Sequence, residues 1–279
     1  MNYKKVKFKS NYFNLFELAE GIYAAISRKD SGVNVSTGFF DLGNYIIVFD
    51  THLHPGAARD LYNAIKELYD KNPSFIINSH FHSDHLLGNC LFPENIPIIS
   101  TPNTLEKIKE VCFDQLKHFR ETADEEIERR KDMLKSDDAP WGEVEIYNDL
   151  EFYKYIKDPE FKIRLPNFLI KDEIIIKGTK KNVHLIPFGV GHTESDIIAY
   201  FPTEKICFMG DLLFADLDDS WAPNDTGRFN AVNPAELYRI LESLIKKDIE
   251  IFVPGHGELS NKDVVQMNMD FIKNFYLKE

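Results

Sequence analysis

The sequence predicts a layered α/β fold. Strand-like apolar runs fill both ends of the chain, segments with helical periodicity lie among them, and no internal repeat or low-complexity tract breaks the pattern. The 279 residues allow one large domain or two small ones, and a hydrophobic content of 43% with 13% aromatics supplies a buried core.

From Gly21 to Asp50 short apolar runs alternate with turn residues: Ile22 to Ile26, Ser36 to Phe40, and Tyr45 to Phe49 after Leu42-Gly43-Asn44. These predict antiparallel strands joined by hairpins. Ala58, Leu61, Ile65 and Leu68 follow helical spacing between Pro55 and Tyr69, and Pro73 closes that segment before a strand at Phe75-Ile76-Ile77. Between Asn103 and Lys135, apolar residues at Ile108, Cys112, Leu116, Phe119, Ala123 and Ile127 step by three and four, which puts one stripe on a heavily charged helix. The charge run Glu125 to Arg130 reads as its solvated face. A turn at Asp137 to Gly142 leads into an aromatic-rich helix from Glu143 to Lys157.

We read residues of about 103–160 as a helical insertion. Tyr147, Phe152, Tyr153 and Tyr155 must pack on the body, line a pocket rim or form a homodimer interface. Strands return as a hairpin of Glu173 to Lys177 with Val183 to Pro187, then Ile197 to Phe201 and Lys205 to Met209. A helix near Pro234 to Lys246, a strand at Ile249 to Val253 and a final helix from Asn261 complete the chain.

Composition narrows the function. A net charge of −12, with no Lys/Arg cluster interleaved with aromatics, argues against nucleic acid and leaves a small-molecule substrate as the expected partner. Met1 to Ser10 lacks the apolar run of a signal peptide, and no stretch reaches the roughly 18 apolar residues of a membrane span. Cys90, Cys112 and Cys207 are odd in number and far apart, with no CxxC pair. These features lead us to expect a soluble, cytoplasmic protein without membrane association.

Five of the nine histidines sit beside carboxylates where a strand gives way to a loop. The densest group is His80-Phe81-His82-Ser83-Asp84-His85, directly after the strand Phe75 to Ile77. Imidazole and carboxylate bind Zn²⁺ at about 2.0–2.2 Å, and a loop lets alternate residues face one centre. A polar turn decorated with surface histidines is the plainer reading, but the rest of the chain outweighs it. Gly191-His192-Thr193, Gly210-Asp211 and Gly255-His256-Gly257 each follow an apolar strand with glycine beside the candidate ligand.

The order Asp50, HxHxDH at 80–85, His192, Asp211 and His256 resembles the five-motif signature of the metallo-β-lactamase superfamily. The resemblance implies a single domain over 1–279 with the αββα sandwich, two central sheets with helices outside, and a dinuclear metal site at one edge. It further implies that His80, His82 and His192 hold one ion, that Asp84, His85 and His256 hold the other, and that Asp211 bridges them. Asp50 would orient a ligand or its loop through hydrogen bonds, with Thr193 a weaker candidate for the same work. The ions would be two divalent cations, zinc foremost, with iron or manganese as alternatives. Two metals sharing a water would lower its pKa from near 15.7 to about 7 and make a hydroxide nucleophile, oriented by Asp84 and Asp211 as catalytic carboxylates.

His52 and His54 either line the pocket or stabilise the turn after Asp50. His118 and His184 read as structural, and Cys207 as core. The segments Pro187 to Thr193 and Lys205 to Asp211 are similar to those of zinc β-lactamases. Asp211 stands where such enzymes have Cys or Ser, however, His85 where many have Arg, and Leu212 to Asp219 contains no base to hold a drug carboxylate. Asp211 with His85 instead resembles the ligand set of glyoxalase II-like thioesterases, lactonases and phosphodiesterases. A carboxyl ester, lactone or thioester is the expected substrate. A phosphodiester, weak β-lactam hydrolysis, or iron-dependent dioxygenase or other oxidoreductase chemistry on the same scaffold are the alternatives.

Overall fold

The computed structural model describes residues 2–136, 141–216 and 231–277. One sheet runs β1 (Lys4–Lys5), β2 (Phe13–Ala19), β3 (Ile22–Ser27), β4 (Thr37–Asp41), β5 (Ile46–Phe49), β6 (Phe75–Ile77), β7 (Ile98–Ser100) and β8 (Phe168–Leu169), each paired with the next. Pairing is antiparallel as far as β5 and parallel beyond it. The second sheet is ordered β13 (Ile251–His256), β12 (Ile206–Phe214), β11 (Ile197–Phe201), β10 (Asn182–Pro187) and β9 (Ile174–Lys177), parallel only between β12 and β13. The helices are α1 (Pro55–Tyr69), α2 (Ser83–Leu86), α3 (Pro102–Lys107), α4 (Phe113–Met133), α5 (Glu143–Lys157), α6 (Pro234–Ile245) and α7 (Lys262–Tyr276).

The period-2 alternation of strand side chains sorts them into layers. Ile22, Ala24 and Ile26 of β3 and Ile47 and Phe49 of β5 face Ile197, Ala199 and Phe201 of β11 and Ile206 and Phe208 of β12 between the sheets. The alternate residues Tyr23, Ala25, Ile46 and Val48 face outward onto Ala57, Ala58, Leu61, Ala64 and Ile65 of α1. On the far side, Ile198, Cys207, Met209 and Phe252 meet Leu237, Leu241, Val265 and Ile272 of α6 and α7. The result is the αββα sandwich, with Cys207 in the core as expected. Phe40 packs edge-on against Phe201 and Phe208 at 4.8 Å between ring centres, and burying each such ring contributes about 1.5–3 kcal/mol.

A fourth apolar cluster lies beneath the helical segment: Ile108, Cys112, Leu116 and Ala123 meet Phe152, Tyr153 and Ile156 of α5, together with Leu86 and Leu87 beside the first histidine cluster. The periodic stripe read from Ile108 onward is therefore a real buried face. The helix expected over 103–135 is divided, however, into α3, a π-helical turn at Ile108–Cys112, and α4. Phe152 and Tyr153 are core residues, Tyr155 is half-buried beneath Arg59, and only Tyr147 of the four aromatics is exposed. Of the turn expected at Asp137 to Gly142, residues 137–140 lie outside the described residues.

The charge run Glu125 to Arg130 departs from a solvated face at its end. Arg130 is buried, donates to Asp149 of α5 and to Glu126, and stacks on Trp141 at 4.4 Å. No helix among the described residues is long and apolar enough to cross a membrane.

Candidate metal centre

The carboxyl ends of β6, β12 and β13 and the loop after β10 converge at one edge of the sandwich. There the HxHxDH segment is a loop as far as His82, as expected, and then a helical turn: His82 is the N-cap of α2, and Asp84 and His85 lie within it. Asp211 does not end its strand either. β12 runs on to Phe214 because the register slips around Gly210, whose φ of +53° turns the chain and throws Asp211 into the site. A Cβ at Gly210 would sit 2.8 Å from Ser79, and one at Gly255 only 1.9 Å from Asp211 Oδ1. Glycine at both places is what lets the carboxylate reach its position.

All seven expected ligands come together, in two groups. Ligand atoms of His80, His82, His192 and Asp211 lie within 4.8 Å of one another, as do those of Asp84, His85 and His256. In the first group His82 Nδ1 stands 3.0 Å from His80 Nε2 and 3.1 Å from His192 Nε2. Ligands about 2.0–2.1 Å from a tetrahedral ion would be separated by about 3.3 Å, so this spacing suits a shared cation. Asp211 lies between the groups: its Oδ2 is 3.3 Å from His192 Nε2, 3.4 Å from His256 Nε2 and 3.6 Å from His80 Nε2. Its Oδ1 is 3.1 Å from His85 Nε2, yet both atoms are buried without a hydrogen bond of acceptable geometry. Buried polar atoms left so are costly, and a cation between them would satisfy both.

Hydrogen bonds behind the ligands set their tautomers. The Asp50 carboxylate accepts from Ser79 N at 2.8 Å, Ser79 Oγ at 2.7 Å and His85 Nδ1 at 2.8 Å. Because Ser79 Oγ spends its proton on Asp50, it accepts from His80 Nδ1 at 2.9 Å. Both imidazoles thus carry a proton at Nδ1 and turn Nε2 toward the centre, the arrangement ligation needs. Asp196 does the same service for the His192 loop, accepting from Thr193 N and Thr193 Oγ1, both at 3.0 Å. Asp50 acts as expected; Ser79 and Asp196 were not singled out from the sequence. An Asp four residues beyond His192 and a Ser immediately before His80 were the only signals available.

Charge and burial act in opposition across the site. Burial, then the charges of His85 and other neighbours, push His80 well below the ordinary imidazole range, and burial with His192 holds His82 at about 4. Burial would also lower His85 and His256, but Asp211 foremost among the surrounding carboxylates raises both, His85 strongly. Those same imidazoles hold Asp211 well below the usual carboxylate range in spite of its burial. Carboxylates that draw positive charge into a buried cage are the electrostatic counterpart of cation binding.

His52 and His54 are not pocket residues. His52 is wholly buried, with Nε2 3.0 Å from Thr37 Oγ1, and His54 caps α1 by accepting from Gly56 N at 3.0 Å. His184 pairs with Glu173 near the surface at 2.6 Å. The helical segment reaches the site from behind: Cys112 Sγ donates to the Phe81 carbonyl at 3.0 Å, and Lys107 of α3 pairs with Glu194 at 3.2 Å.

Comparison with known proteins gives the family and the fold. The profile of the metallo-beta-lactamase superfamily matches residues 30–256, and the chain belongs to that superfamily, whose homologues are metal-dependent hydrolases. A metallo-beta-lactamase type 2 from Bacillus cereus is 20% identical over 231 residues, covering 82% of this chain and 69% of the relative. Among solved structures, a metallo-beta-lactamase from Pontibacter korlensis superimposes with a TM-score of 0.62 at 15% identity, covering 98% of this chain and all of the other. The crystal structure of VMB-1 gives 0.63 at 18% identity, covering 95% and 99% respectively. At these identities the superpositions establish the fold.

Proposed function

We propose that the protein is a dinuclear metal-dependent hydrolase of carboxyl esters, lactones or thioesters. The observation that carries this reading is the Asp211 carboxylate, set within 3.1–3.6 Å of four imidazoles drawn from both ligand groups. His80, His82 and His192 would hold one ion and Asp84, His85 and His256 the other, with Asp211 shared. Zinc suits this nitrogen and oxygen donor set, and iron or manganese are the alternatives the metal analysis below would reveal. Bound divalent ions supply a water acidic enough to deprotonate near neutral pH and Lewis acidity for the scissile group.

The chain's own contribution is to hold the cage and to handle the proton. Asp211, 4% exposed, is committed to the interior, whereas the Asp84 side chain is 34% exposed and stands 3.5 Å from His256 Nε2. With Oδ2 turned toward His256 and His85, Asp84 keeps its other oxygen to orient water and take up its proton. The ester, lactone or thioester class is supported by the resemblance of Asp211 with His85 to the ligand set of thioesterases and lactonases, and is favoured over phosphodiesters by a net charge of −12 that disfavours polyanionic substrates.

The test is metal analysis of the protein as purified, joined to a panel of lactones, thioesters, carboxyl esters, phosphodiesters and a chromogenic β-lactam. About two ions per chain and fastest turnover of an acyl substrate are expected. Dominant β-lactam or phosphodiester turnover would replace the substrate class, and protein that takes up no metal would overturn the reading.

A further inference from the structure

The loop between β3 and β4 borders the cage on the His256 side. Val35 forms an antiparallel bridge with His256, Ser36 N donates to the Gly255 carbonyl at 2.7 Å, and Ser36 Oγ donates to the Gly257 carbonyl at 3.0 Å. The outer part of the loop, with Lys29, Val33 and Asn34, walls a cavity of 180 Å³ whose other side is Ala215 and Gly257. These last two residues directly follow the strands that deliver Asp211 and His256.

Ser31 organises that loop and is itself held from outside. Its Oγ donates to the Arg28 carbonyl at 2.6 Å and accepts from Val33 N at 3.1 Å. Its carbonyl accepts from Asn148 Nδ2 at 2.9 Å, a bond between residues 117 positions apart. Asn148 is buried on α5, and its own carbonyl lies 2.7 Å from His54 Nε2. Since His54 Nδ1 accepts from Gly56 N, Nε2 carries the proton and donates to Asn148. One turn earlier on α5, Glu145 packs so near Gly32 that a Cβ there would lie 3.0 Å from Glu145 Cγ. The helix is fixed in turn by Glu151, which accepts from Tyr12 OH at 2.6 Å and from Arg59 at 3.1 Å.

We propose that Asn148 is a positioning residue: through Ser31, α5 holds the 28–36 loop against the strand that carries His256 and sets the width of the cavity that receives one flank of the substrate. The substrate part of this inference rests on the hydrolase reading; the holding of the loop does not. The side chain of Asn148 makes the Ser31 bond and its backbone makes the His54 bond, so substitution addresses the first alone. Asn148→Asp keeps the volume but sets an acceptor against the Ser31 carbonyl, and Asn148→Ala removes the bond. Tyr12→Phe is the contrast, releasing α5 at Glu151 while leaving Asn148 and Ser31 joined.

The measurement is hydrogen exchange resolved by segment, with zinc stoichiometry and steady-state kinetics on the best acyl substrate of the panel. Both Asn148 variants should speed exchange over 28–36 by about tenfold or more relative to α5, with Tyr12→Phe leaving that loop unchanged. KM should rise about fivefold with kcat within about twofold, as expected when ground-state and transition-state binding weaken together, and two zinc ions should remain. Unchanged loop exchange, or an equal rise over α5 and the loop, would overturn the positioning role. Faster loop exchange with unchanged KM would overturn the substrate wall alone. Faster loop exchange in a protein whose wild type hydrolyses no acyl substrate would sink the acyl-substrate reading and leave the loop restraint standing.

Discussion

Gly255 lacks a side chain at the point where Asp211 crosses it, since a Cβ there would lie 1.9 Å from Asp211 Oδ1 and near the Gly210 backbone as well. Neither the carboxylate nor the backbone can withdraw without unmaking the contacts Asp211 forms with His85 and His256. Gly255→Ala should therefore displace Asp211, costing about 1–3 kcal/mol in overpacking and releasing at least one metal ion. Thermal melts with chelator present, set beside metal content, check this: two tightly held ions in Gly255→Ala would show that the carboxylate had room to move.

Asp50 reaches both ligand groups, through Ser79 to His80 and directly to His85. In Asp50→Asn the amide has one acceptor oxygen for three donors, so an Nδ2–H must face Ser79 or His85. We expect metal affinity to fall about 10–100-fold, the scale seen for such supporting carboxylates. Competition against a chromophoric chelator reads this directly, and wild-type affinity would show that the two imidazoles keep their tautomers unaided.

The fold was legible wherever an element carries its own periodicity. Pro55–Tyr69, Phe75–Ile77, Glu143–Lys157 and Ile197–Phe201 emerge with the boundaries read from the sequence. β2, by contrast, mixes Asn14 and Glu17 into its alternation, while β1, β7 and β8 are two or three residues long and exist only through their partners. The seven residues that come together were legible because cation-binding groups draw on side chains of few types at close spacing. Ser79 and Asp196 impose none, since a supporting hydrogen bond is met by many residues from many places. The continuation of β12 through Asp211 was hidden for another reason: a slip at Gly210 is a property of the pairing with β13, and a single strand's sequence does not carry it.

Arg130 and Arg129 look alike in the sequence and differ in the fold. Arg130 is buried, lies 4.4 Å from the Trp141 ring and serves Asp149 and Glu126, whereas Arg129 is half exposed, lies 5.9 Å from the same ring and pairs with Glu126. Arg130→Ala should destabilise by about 2–4 kcal/mol, because it takes the buried cation from Asp149, while Glu126 keeps Arg129, and removes packing between α4 and α5. Arg129→Ala should leave the melting curve where it was. Equal effects in urea unfolding would mean that Arg130 is as dispensable as the sequence first suggested.

His52 should make the protein sensitive to acid through its own titration. Burial foremost, then the charges of His85 and His54, lower its pKa to about 3, so the folded protein keeps a neutral ring where the unfolded chain, near 6.5, takes a proton. Stability from this residue is complete above pH 6.5 and declines as pH falls toward 3, by about 2 kcal/mol at pH 5. His52 also has φ +67°, a conformation in which Asn is among the better tolerated residues. His52→Asn therefore removes the titration without demanding a new backbone, although it gives up the stacking on Phe13 and the contact with Thr37. The variant should be less stable than wild type at pH 7.5, yet lose about 2 kcal/mol less on going to pH 5, in urea titrations with a chelator present in both proteins. Parallel losses in the two proteins would place the acid sensitivity elsewhere and show that the His52 ring takes up its proton without leaving the fold.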